Sequence, residues 1–198
     1  MNRTKIDVAN EALVLVGADR IATFDDGSAE GVAIAGCYET EVGAALVNPG
    51  GSPFRWSFAT RQDVLTKLAA PPTARWQHAF QMPTDCLQLH AVTSHDNPVS
   101  YATHRDTILT DWDGPLVADY TFRAAESEWP PAFMQSVVSQ LAAKLALILS
   151  ENGDLAAAMT RMANWPGART GDSQAQTSRM LRATRLTSAR HGGGGRRW

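Results

Sequence analysis

Five side chains within seventeen residues, His90, His95, Asp96, His104 and Asp106, are of types that bind metal ions or exchange protons. Imidazole and carboxylate ligands hold zinc when they converge from short, characteristic spacings. None of those spacings is present, and the stretch reads as a polar strand-and-loop surface. If the ligands did meet, metal-assisted hydrolysis is the chemistry they would support. Serines lie near these histidines, but no G-x-S-x-G turn presents one as a nucleophile. No phosphate-binding glycine loop follows a strand. The four glycines at 192–195 precede Arg-Arg-Trp and read as a tether. No catalytic residue, metal site or cofactor is expected.

Arginine supplies a second kind of chemistry. Residues 1–154 hold 10 Lys and Arg against 19 Asp and Glu, whereas residues 155–198 hold 8 Arg and the single acid Asp172. An acidic body with a basic extension is a statement about partners. Arg179, Arg182, Arg185, Arg190, Arg196 and Arg197 could pair with nucleic-acid phosphates. They could equally dock on acidic protein surface through carboxylate forks. Because the body is acidic, docking on protein is the expectation, and a small nucleic-acid-binding module is the alternative. The two cysteines, Cys37 and Cys86, are expected to be buried free thiols in a reducing compartment. The opening MNRTKID lacks the apolar run of a signal peptide, and Leu141 to Leu149, interrupted by Lys144, is too short to cross a bilayer. No membrane is expected.

The elements that would position these groups follow from periodicity. Thr4 to Val16 predicts a helix with Thr4 as N-cap, Asp7 completing a capping box and Gly17 as the stop. Ser28 caps a second helix to about Val47, whose buried face includes Tyr38 and whose Gly31, Gly36 and Gly43 would admit another helix closely. Phe54, Trp56 and Phe58 alternate at strand period and predict an aromatic joint between a helical layer and a sheet. Short strands are expected at Trp76–Gln81, Leu87–Val92, Val99–His104, Thr107–Thr110 and Leu116–Arg123. Pro130-Pro131 opens a helix from Ala132 to Ser150, with Phe133, Leu141 and Leu145 in its core. A further helix begins near 154, where Pro166 breaks or kinks it. The fold class predicted is α+β and mostly helical. A helix bundle, with two N-terminal helices and long helices near 132–150 and 154–190, carries a small antiparallel sheet inserted at about 55–123. The body would span 1–171 and an Arg-rich extension 172–198.

Several blocks recur in a familiar order. They are Asn10-Glu11-Ala12-Leu13 with Gly17-Ala18, then Asp25-Asp26-Gly27-Ser28, then Tyr38 and Leu46. Trp56-Ser57-Phe58-Ala59 with Arg61 and Leu65 follows, then Phe80 to Leu87, Ile108 to Asp111, Trp129 and Phe133, and Leu141-Ala142 with Leu145-Ala146. In these blocks the chain resembles the head-to-tail adaptor family of tailed bacteriophages and gene transfer agents, including tail tubular protein A. It departs at Val42, where the family has arginine, in the glycine-rich loop 48–53, and at Pro166, through which the family's helix runs on.

The resemblance implies a structural virion protein without enzyme activity, assembled in the host bacterial cytoplasm and placed at the head–tail interface. It implies a homo-oligomeric ring, usually of twelve copies, beneath the portal protein. The ring would extend a channel for double-stranded DNA without sequence-specific binding. It would also offer an attachment surface to a nozzle, stopper or tail-tube protein. The C-terminal extension, with Arg179, Arg182, Arg185, Arg190, Arg196, Arg197 and Trp198, would dock on the portal. Trp56, Phe58, Tyr38, Phe133, Leu141 and Leu145 would form the structural core.

Overall fold

The structure, a computed structural model, describes residues 3–70, 72, 75–95 and 97–174. It is a mixed α+β fold in which every described strand lies between the second and third helices in chain order.

The first helix, α1 (Lys5–Leu15), begins at a capping box: Thr4 N–H donates to Asp7 Oδ2 at 2.8 Å and Asp7 N–H donates to Thr4 Oγ1 at 3.4 Å. Asn10 then fastens the following loop, since Ile21 N–H donates to its Oδ1 at 2.9 Å and its Nδ2 donates to Ile21 O at 3.0 Å. The second helix, α2 (Ala29–Val47), is capped by Ser28, whose Oγ accepts the Gly31 N–H at 2.9 Å. A Cβ at Gly31 would lie 2.3 Å from Asp26 Oδ1, the carboxylate that holds Ser28, so a larger residue would have to displace that side chain. Among the described residues Gly36 and Gly43 do not admit another helix: a Cβ at either meets nothing within 4 Å.

Helix α3 (Pro131–Leu149) packs against α1, α2, α4 (Gly153–Met162) and α5 (Trp165–Gln174). By length and composition α3 could cross a membrane, which the apolar run counted only from Leu141 understates; 61% of its most apolar window is buried inside the molecule. An apolar stripe on nearly all sides is what a helix enclosed by others requires.

The helix expected at 154–190 is two helices over its described part, to Gln174, and residues 175–190 lie outside the described residues. The break falls at Ala163-Asn164, before Pro166. Asn164 Oδ1 accepts the Gly167 N–H at 3.1 Å, so a new helix starts there and Pro166 occupies its first turn, where the missing N–H costs nothing.

The strands form two antiparallel sheets where one was expected. With β1 (Thr60–Val64), β2 (His78–Gln81), β3 (Cys86–Ser94), β4 (Asn97–Pro98), β5 (Ala102–His104), β6 (Thr107–Thr110) and β7 (Val117–Phe122), the orders are β1-β7-β3-β4 and β2-β6-β5. One segment serves both. Leu65 N–H donates to Leu116 O at 2.8 Å, and two residues later Lys67 bridges Phe80, with Leu68 N–H donating to Ala79 O at 2.8 Å. Ala118, Tyr120 and Leu116 from the larger sheet and Phe80 and Ile108 from the smaller fill one apolar cluster. The helices enclose another, and Phe122 packs against both.

Candidate functional site

The aromatic stretch is not a strand. Trp56 is extended, but residues Ser57–Ala59 turn into a 3-10 helix and pairing begins only at Thr60. Two contacts impose the turn. Thr60 Oγ1 donates to Trp56 O at 2.6 Å. Asp172, from α5, accepts the Ser57 N–H on both carboxylate oxygens at 3.1 Å and the Ser57 Oγ–H at 2.5 Å. Asp172 is buried, so the boundary expected between residues 171 and 172 divides a residue of the core from its neighbours.

Around this turn the aromatic rings converge on Phe133. Its centroid lies 4.9 Å from Trp56, 4.9 Å from Phe58, 5.2 Å from Trp129 and 5.9 Å from Trp165. Edge-to-face pairs at such distances add about 0.5–1.5 kcal/mol each beyond area burial. Trp56 Nε1–H donates to Ala45 O at 3.0 Å, which ties the ring to α2. Tyr38, Trp56, Phe133, Leu141 and Leu145 are buried, whereas Phe58 is half-buried at the edge of the same cluster. The joint lies within the helical core, beside the end of β7, with Ala124 buried in it.

The loop at 48–53 belongs to this joint. Arg169 Nη2 donates to Pro49 O. Gly50 has φ +62°, and a Cβ there would lie 2.9 Å from Trp165 Cδ1. Of the two glycines in this loop, Gly50 makes room for α5, whereas a Cβ at Gly51 would meet nothing within 4 Å.

A charged clasp joins β7 to the helices. Arg123 Nε meets Glu39 at 3.1 Å and its Nη2 meets Glu126, while Lys5 Nζ reaches Glu39 at 2.8 Å. Burial pushes the Glu39 carboxyl up, but the Arg123 and Lys5 hydrogen bonds and charges outweigh it and hold the group below its ordinary value. Tyr38 donates to Glu126 at 3.1 Å, and burial followed by the Glu126 charge raises the phenol well above the usual range. On the sheet, Tyr120 donates to Asp63 and to Asp85, and Arg61 meets Asp85 at 2.8 Å while stacking on Phe122 at 4.0 Å.

The histidines are not brought together. His90 on β3 shares a 2.7 Å hydrogen bond with Thr121 Oγ1, and burial followed by the Arg55 charge lowers its pKa against the pull of Asp119. His95 sits in the β3–β4 turn at φ 48°, and His104 ends β5 in the other sheet. Asp96 lies outside the described residues. Among the described residues no group of three or more His, Cys, Asp or Glu could hold a metal ion. The cysteines are free but only half-buried, and burial raises both thiols.

Arg179, Arg182, Arg185, Arg190, Arg196, Arg197 and Trp198 lie outside the described residues. The described chain reaches Gln174, at the end of α5. Sequence reasoning missed Asp172 and Arg169, which fasten α5; a lone acid in an Arg-rich stretch was the available signal. No protein-family model matches the chain, and no curated protein matches it either.

Proposed function

We propose that this chain is a structural adaptor subunit of a phage-like particle. Twelve copies form a ring beneath the portal protein, extend the channel for double-stranded DNA and offer the tail its attachment surface. In this reading the helices are the bundle of the adaptor and the two sheets are its insertion. The ring lies at the head–tail interface of the virion and performs no catalysis. The basic row Arg179, Arg182, Arg185 and Arg190 docks on acidic groups of the portal, where partly desolvated Arg–carboxylate pairs contribute more than exposed ones.

The observation that carries the reading is the joint at Trp56. The block most specific to the resemblance, Trp56-Ser57-Phe58-Ala59, is the point where α2, α3, β1 and α5 are fastened together. In sequence the basic segment follows Gln174, the last described residue of α5. The face of α2 left open among the described residues supports lateral assembly: a Cβ at Gly36 or Gly43 would meet nothing described within 4 Å, and Val32 on the same helix is 66% exposed.

Electron microscopy of the purified chain, alone and mixed with a purified phage portal protein, tests the proposal. Closed rings that cap portals are the expected result. A chain that stays monomeric at high concentration and does not bind the portal would sink it.

A further inference from the structure

A cleft of about 550 Å³ opens where the β3–β4 turn approaches the end of β6. Trp76 and Trp112 line it, with His95, Asn97 and Asp111. Trp112 is held without being covered. Its indole packs over Gly114, where a Cβ would lie 2.8 Å from Nε1, and the backbone N–H of Trp112 donates to Thr110 Oγ1 at 3.2 Å, yet the residue is 47% exposed. Asp111 fixes the approach to Trp76 by accepting the Gln77 N–H at 3.1 Å. Among the described residues neither Lys nor Arg lines the cleft, so a phosphate or carboxylate would meet the Asp111 carboxylate and no described countercharge. Two indoles beside an acid suit a guanidinium, which stacks on aromatic faces and pairs with carboxylates.

The chain's own sequence holds such a ligand, Arg196-Arg197-Trp198, after four glycines. Its charge complements the cleft, and its Trp198 can stack where a guanidinium can. Trp198 is 24 residues beyond Gln174. That length of chain can span at most roughly 80 Å, whereas a body of this size is on the order of 40 Å across.

We propose that Arg196-Arg197-Trp198 occupies the Trp76–Trp112 cleft of its own molecule, with a guanidinium stacked on indole and paired with Asp111. This takes those three residues from the portal contact expected of them and leaves the Arg179–Arg190 row for that role. It does not depend on ring formation.

The test places a benzophenone photocrosslinker at position 198 of the full chain. Isotope-labelled and unlabelled chains are mixed, irradiated and mapped by mass spectrometry. Adducts within one chain, at residues near Trp76, Asn97 and Trp112, are expected. Trp112→Ala should reduce them about tenfold, equivalent to about 1.4 kcal/mol. Arg196→Glu with Arg197→Glu, which alters no described residue, should do the same, and adding Asp111→Arg should restore the adduct. Adducts elsewhere on the body, adducts joining labelled to unlabelled chains, or a cleft adduct indifferent to these changes would overturn the proposal. Micrographs of the same samples score ring formation separately, so the two proposals can fail independently.

Discussion

At the scale of single residues, two carboxylates carry more than their types suggest. Asp172 accepts from the backbone and hydroxyl of a residue 115 positions away. Replacing it with Ala removes the acceptor of both Ser57 donors, and hydrogen bonds to a charged group are worth about 1.5–3 kcal/mol. Urea melts of Asp172→Ala should show that loss, and Ser57→Ala a smaller one. Glu39 gives a pH dependence. Its folded carboxyl is held below the ordinary value of 4.5, so its contribution is complete above that pH and disappears as pH falls through the folded value. Stability curves of the parent and Glu39→Gln should therefore differ at pH 7 and converge in acid. A gap that persists at the lowest pH would assign the effect to packing instead. The sequence displayed the local caps, because Thr4–Asp7 and Ser28–Gly31 lie three residues apart. It could not display Asp172 meeting Ser57, since no local pattern encodes a partner from a distant helix.

At the scale of elements, helices were more legible than strand pairing. The periodic stripes of α1, α2 and α3 fall within a residue or two of their expected bounds. Alternation at Phe54, Trp56 and Phe58 pointed to a strand, yet those positions alternate because three rings share one aromatic cluster, and the backbone between them is turned by Asp172 and Thr60. Pro166 looked like a kink because Asn164 was not recognised as a cap. Short strands were found near their places, but alternation does not say which strands pair, and two sheets resulted. Glycine predictions follow from position. Gly50→Ala forces a Cβ against Trp165 at positive φ and should cost about 1–3 kcal/mol. Gly36→Ala, in open space within α2, should stabilise the isolated chain by about 0.4–1 kcal/mol. Thermal melts distinguish the two signs. Trp56→Ala removes both a ring from the aromatic cluster and the hydrogen bond to Ala45, and should cost about 3–5 kcal/mol.

For the whole molecule, the joint redraws where the body stops. Truncation after Gln174 retains every described contact of α5, so the thermal midpoint should fall by no more than in the full chain carrying Arg196→Glu and Arg197→Glu, which loses only the proposed cleft contact. Truncation after Gly171 removes the Asp172 anchor and should lower the midpoint by roughly 3–12 °C, given about 2–4 °C per kcal/mol for a chain of this size. Equal midpoints would mean that the anchor adds nothing to the fold. The proposed function rests on the order of the sequence blocks and on the charge asymmetry, not on any cluster of reactive groups. The fastenings of α5 also give the molecule a mechanical direction. Trp165, Arg169 and Asp172 recur at helical spacing along one side, against Phe133, Pro49 and Ser57. Traction on Gln174 along the helix axis loads all three attachments in shear at once. Traction across the axis peels them in turn, beginning with Asp172. The body therefore resists a lengthwise pull far better than a sideways one, and the angle at which residues 175–198 are drawn sets the force at which α5 comes away.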